Sequence, residues 1–217
     1  MDRRVRTALT LAIALPFVVA QHVPASAQLF GLGKFKVDQS DDRFSTSGLM
    51  TYSGLNNRIS KRSVVGGVHI DAKGMFVEPV TIKRKADGSI VGLSFFVHNE
   101  TDYDTGYGTP NSIGTPQRIT FLTDGGVPIA LTISNANRKW GGVLSYNSIS
   151  RSASSRITET GFAELTPAQF ERIMGATSIA VKIEGSERSV VYEAKDISKT
   201  FLPNLKAFYT SSVAAKP

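Results

Sequence analysis

The sequence predicts a mostly β protein, an antiparallel β-sandwich or partly open barrel with two short helices in the C-terminal third. Three observations carry this. From residue 48 onward, short runs of alternating apolar and polar residues recur at close spacing, as half-buried strands require. Glycine or Asp-Gly pairs punctuate those runs. The helix-start signals all lie late in the chain.

Met50 to Ser53 opens the predicted sheet, and Ser63 to Asp71 reads as one strand with Gly66-Gly67 as a bulge. Phe76 to Lys83 places Phe76, Val80 and Ile82 on one face and Thr81 and Lys83 on the other, while Pro79 points to a sheet edge. Ser89 to His98 is apolar on both sides, which predicts a central strand. Arg118 to Thr123, Asp124-Gly125 and Val127 to Ile133 form the clearest hairpin. Asn135 to Gly142 reads as a turn carrying Trp140, followed by a strand from Val143 to Ile149 and a flexible serine-rich connection, Ser148 to Ser155.

In the last third, Thr166-Pro167-Ala168-Gln169 is a capping box: a hydroxyl at the N-cap, proline at the first turn and Gln three residues on. It predicts a short helix ending near Gly175. Ser178 to Glu184 and Ser189 to Glu193 form a second hairpin, and Phe201, Leu205, Phe208 and Tyr209 at helical spacing predict a terminal helix from about Pro203 to Ser211.

Residues 1–27 have the form of a cleaved secretory signal: Arg3, Arg4 and Arg6, the apolar run Ala8 to Ala20, then Ala25-Ser26-Ala27. That run is shorter than the roughly 20 residues needed to cross a bilayer. Residues 28–47, with scattered aromatics and no sustained period, read as a flexible arm, leaving 48–217 as a single β-rich domain. The chain contains no cysteine, which removes disulfides, thiolate metal sites and a lipid-modified cysteine together. The expectation is a bacterial protein exported by general secretion, periplasmic or secreted, with no transmembrane segment after cleavage. Its net charge of +7 directs attention to anionic partners of the envelope, and no basic stripe or aromatic motif supports nucleic-acid binding.

No motif fixes a reaction. Gly-x-Ser-x-Gly and Ser-x-x-Lys are absent, and Gly31-Leu32-Gly33-Lys34 lacks the earlier glycine and following hydroxyl of a phosphate loop. His69 and His98 have no second histidine at metal-ligand spacing, so no metal or cofactor is expected. Lys61-Arg62, Lys83-Arg84-Lys85 and Arg138-Lys139 read as solvated charges guarding turns and strand edges.

What asks for a function is the long connection His98 to Pro116, because structureless loops beyond about 12 to 15 residues are uncommon in compact domains. Tyr103 and Tyr107 supply flat amphipathic surfaces, Asp104 and Asn111 hydrogen-bonding groups, and Trp140 is the only tryptophan. These five residues are the candidate contact set. They point to an exported binding module that meets an envelope polysaccharide, lipid head group or protein. The alternatives are a carboxylate-based hydrolase or lyase using Asp or Glu with Tyr or His98 from the same loop, and a structural envelope component.

Overall fold

The protein is mostly β, with two helices in the C-terminal third, and the computed structural model describes residues 34–41, 48–61, 64–65, 68–69, 74–105, 111–149 and 151–214. In chain order the elements are β1 (Lys36–Ser40), β2 (Leu49–Leu55), β3 (Val64–Val65), β4 (Val68–His69), β5 (Gly74–Arg84) and β6 (Ile90–Asp104). There follow β7 (Pro116–Thr123), β8 (Ile129–Asn147), β9 (Ser152–Glu164), α1 (Pro167–Gly175), β10 (Ile179–Gly185), β11 (Ser189–Tyr192) and α2 (Phe201–Phe208), which runs into a π-helical turn, Tyr209–Val213. Nine strands make one antiparallel sheet in the order β1-β2-β5-β6-β9-β8-β7-β10-β11, not closed into a barrel, while β3 and β4 pair only with each other.

Two isolated bridges, Arg58↔Phe76 and Ser60↔Ile197, tie the residues after β2 both to β5 and to the chain leaving β11. Ser198 N–H donates to the Ile59 carbonyl at 2.8 Å and Lys61 N–H to the Asp196 carbonyl at 3.0 Å, so these backbone groups are satisfied where the ladder is irregular. The enclosed face carries Val77, Phe95, Val97, Phe121, Leu131 and Val181, and the two helices cover it. Phe170 of α1 stacks on Phe95 at 5.6 Å and meets Phe208 of α2 at 6.2 Å. Local signals set the start of α1: the Thr166 hydroxyl accepts from Gln169 N–H at 3.2 Å, and the Gln169 carboxamide oxygen accepts from Thr166 N–H at 2.8 Å.

Several elements depart from the sequence expectation for identifiable reasons. Toward the end of β5 Thr81 and Lys83 are buried, whereas Val80 and Ile82 are half-buried, so the expected faces are exchanged there. The Thr81 hydroxyl satisfies itself on the Gly92 carbonyl at 3.1 Å, and the Lys83 ammonium lies over the Tyr52 ring at 5.9 Å. Pro79 is not at an edge. It falls where the β2 ladder stops at Ser53↔Val80 and before Val77 N–H donates to the Asn57 carbonyl, a gap that needs no N–H from it.

The expected strand 63–71 is the small β3–β4 pair. Within 28–47, Lys36–Ser40 forms β1 against β2, with Phe35 and Val37 packed on the core. The helix α2 begins at Phe201, two residues before Pro203, because the third position of a helix still has no backbone acceptor to lose.

The largest departure is β8. The residues read as a turn and a separate strand continue the second hairpin strand as one 19-residue strand, Ile129–Asn147, paired with β9, and the end of the serine-rich connection, Ser152 to Ser155, opens β9 itself; the β8–β9 register shifts at Ser134/Asn137, Trp140/Val143 and Val143/Ser145. These bulges broke the period-2 pattern that would have identified the strand. One bulge packs on Gly161, where an added Cβ would lie 2.3 Å from Ile133 Cγ2.

Phe170→Ala removes the side chain that joins both helices to the sheet and is expected to cost about 3–5 kcal/mol of stability in chemical denaturation. A loss below about 1 kcal/mol would show that the helices are not part of the cooperative core.

Candidate functional site

Beyond the core, β6, β9 and β8 continue together as a three-stranded ribbon, paired through Asp104↔Ser154 on one side and Asn147↔Ser152 on the other. Strand β7 accompanies β8 only as far as Arg118↔Thr132, so the rest of β8 has no neighbour on its outer edge among the described residues. Because opposed residues share a face, the core-side face of the ribbon carries Asn99, Thr101 and Tyr103 from β6 and Glu159, Ile157 and Ser155 from β9. Opposite these stand Arg138, Trp140 and Val143 of β8.

At the root of this face lies Glu159, fully buried. Its carboxylate accepts from Asn99 Nδ2 at 2.8 Å, Ile113 N–H at 3.0 Å, Gly114 N–H at 2.8 Å and the Ser112 hydroxyl. The Arg138 guanidinium adds an ionic contact, Nε to Oε1 at 3.6 Å, while donating to Ser112 Oγ at 3.0 Å and pairing with Glu187. A buried charge is tolerable only when paired and hydrogen-bonded, and here both conditions are met. Asn99 Nδ2 also donates to the Asn111 carbonyl at 3.0 Å, and Ile113 rests over Gly185, where any Cβ would lie 2.2 Å from its carbonyl oxygen. The end of the loop is thereby pinned to four strands, β6, β8, β9 and β10.

The candidate residues fall into place around this anchor. Tyr103 and Trp140 meet edge to face, ring centroids 5.4 Å apart and planes at 70°, and Arg138 lies over the opposite partner of that pair, 5.4 Å from the Trp140 centroid. Asn111 is exposed and contributes its carbonyl to the anchor. Asp104 is the last residue of β6, and Tyr107 lies outside the described residues. The loop proper is shorter than the sequence suggested, since β6 runs to Asp104 and β7 starts at Pro116. Farther along β8, Val143 (70 % exposed), Leu144 and Tyr146 (65 %) continue the apolar character, and Ile149 beyond the strand is 96 % exposed.

A second cluster occupies the other face of β5, β6 and β9. Phe162, Phe96, His98 and Phe76 follow one another at ring separations of 5.0, 5.8 and 5.5 Å, with Arg58 5.6 Å above Phe76. His98 Nε2 is 3.1 Å from Glu100 Oε1. Glu78, nearly buried beside them, accepts from Asn56 N–H at 2.6 Å, and burial pushes its carboxyl above the usual range against the opposing pull of His98 and that hydrogen bond. Among the described residues no group of carboxylates and histidines is arranged to hold a metal ion.

Glu159 and Ser112 were not singled out from the sequence, and Arg138, read there as a solvated charge, is instead drawn inward by Glu159 and Ser112. The available signal was an acid in an inward slot of the alternation Ile157, Glu159, Gly161, Ala163, but its partners lie far away along the chain. The chain matches no protein family, no curated protein and no solved structure.

Folded Glu78 holds its proton more tightly than in the unfolded chain. Its favourable contribution is therefore present below the ordinary carboxyl value near 4.5 and is lost as pH rises through the raised folded value. Glu78→Gln keeps an acceptor for Asn56 N–H, so the variant should gain stability relative to wild type as pH goes from about 4 to about 7. Denaturation midpoints that differ equally at both pH values would contradict this assignment.

Proposed function

We propose that the protein is an exported binding or interaction module that meets a component of the cell envelope, a polymer, lipid head group or protein, through the ribbon face of Tyr103 and Trp140. Export rests on the signal-like residues 1–27. The observation that carries the binding reading is the exposed row Trp140, Val143 and Tyr146 on strands that bury little of the core beneath them, next to an aromatic pair held from behind by Arg138. Apolar side chains left in water on a rigid projecting element lose their hydrophobic contribution unless another surface covers them. Among the described residues no helix is long and apolar enough to cross a membrane.

The hydrolase or lyase alternative draws on a different observation, the convergence of Glu78, His98 and Glu100, where a raised carboxyl beside a histidine has the composition of an acid–base pair. The two readings use opposite faces of the sheet and separate cleanly by mutation.

Trp140 is the only tryptophan, so its emission reports the site directly. Titration with washed membranes, cell-wall polymer or soluble envelope proteins is expected to shift that emission for at least one fraction. Tyr103→Ala should weaken the effect by about tenfold, as loss of an aromatic anchor does. An emission unmoved by every fraction, together with turnover of envelope polymer abolished by Glu100→Gln, would favour the enzymatic alternative instead.

A further inference from the structure

We propose that the hairpin of β8 and β9 docks on an anionic phospholipid bilayer, with Ile149, Tyr146, Val143 and Trp140 entering the interfacial layer; this rests on the binding reading above and names the partner of that site. Ile149 stands just past the end of β8, almost wholly in water, and its N–H donates to Asn147 Oδ1 at 2.9 Å. Tyr146, Val143 and Trp140 then succeed one another back along β8 toward the body. Tryptophan and tyrosine above an aliphatic tip is the order in which side chains meet head groups first and acyl chains last.

The hairpin is also basic. From residue 135 to residue 158 the sequence holds Arg138, Lys139, Arg151 and Arg156 and no acidic residue. Arg138 is committed to Glu159 and Glu187, but Arg151, beside the tip, and Lys139, opposite Thr158 on the reverse face of the strand from Trp140, are exposed, and neither is in an ion pair among the described residues. The acids at this end of β6, Glu100, Asp102 and Asp104, occupy positions on the opposite face from Tyr103, the face that Lys139 shares, with Glu100 in line with Lys139 through Thr158 and Asp102 across from Arg156. Basic side chains flanking an apolar strip match an anionic surface, each contributing about fivefold to partition near the membrane.

A second copy of the chain fits this surface less well. Edge-to-edge pairing on the free side of β8 needs a regular ladder, and the register shifts at Trp140/Val143 and Val143/Ser145 interrupt it.

The test is sedimentation of the purified protein with vesicles of phosphatidylglycerol and phosphatidylcholine, against vesicles of phosphatidylcholine alone. Binding is expected only to the anionic vesicles. It should weaken as salt rises from about 0.1 M to about 1 M, where the screening length falls from ~10 Å to ~3 Å. Ile149→Asp alters a side chain that supports nothing in the fold and should reduce binding by at least about tenfold, given the transfer free energy of an isoleucine. Lys139→Glu with Arg151→Glu should do the same, and lipids brominated in the acyl chain should quench Trp140. Absence of binding to anionic vesicles, or equal binding by Ile149→Asp, overturns the proposal. If vesicles fail while cell-wall polymer or soluble envelope protein still shifts Trp140 emission, the lipid partner is wrong and the binding module stands; if all fail, both fall.

Discussion

One buried carboxylate organises this molecule. Glu159 sits in the middle of β9, the strand shared by the core and the ribbon, and takes hydrogen bonds from β6 through Asn99 and from the incoming chain through Ser112, Ile113 and Gly114. Arg138 of β8 closes the arrangement and carries it outward, because the same guanidinium that faces Glu159 also lies over Trp140. A charge in that position is costly unless every partner is in place, so it specifies one register of three strands and one path for the loop. The aromatic pair is oriented by that network and not by local propensity.

The sheet explains why there are two surfaces to consider. Its enclosed side is filled by aliphatic residues and capped by α1 and α2, and the same side, followed along β6, β9 and β8 past the last helix contact, becomes the Tyr103 and Trp140 face. The reverse side of β5, β6 and β9 collects Phe76, Phe96, Phe162 and His98 around Glu78. Strand alternation alone produces this division: odd positions of β6 point one way and even positions the other. A binding surface and an acid–base cluster can thus share a strand without sharing a residue.

Legibility followed the range of the interactions. The capping box at Thr166 and Gln169, the Asp124-Gly125 hairpin and the alternation of Ile179, Val181 and Ile183 are decided within a few residues, and they appear in the structure where the sequence put them. The ribbon was hidden because its bulges break alternation at Ser134 and Trp140, and because β9 spends inward slots on Glu159 and Gly161 in place of apolar residues. Tyr103 and Trp140 could be grouped by chemical type, but their contact depends on the residues of β9 between them, such as Ser155 and Ile157. Pro79 misled in the other direction, since a pause in the β2 ladder makes room for it inside the sheet.

Amide hydrogen exchange at Ile113 and Gly114 tests the role of the buried carboxylate most directly, in wild type and in Glu159→Ala. Held as described, these two amides should exchange in wild type only through opening as costly as that of β6 and β9, and Glu159→Ala should release them while α1 stays protected. Fast exchange of both amides in the wild-type protein, at the rate of an open loop, would contradict the anchor and with it the fixed presentation of Trp140.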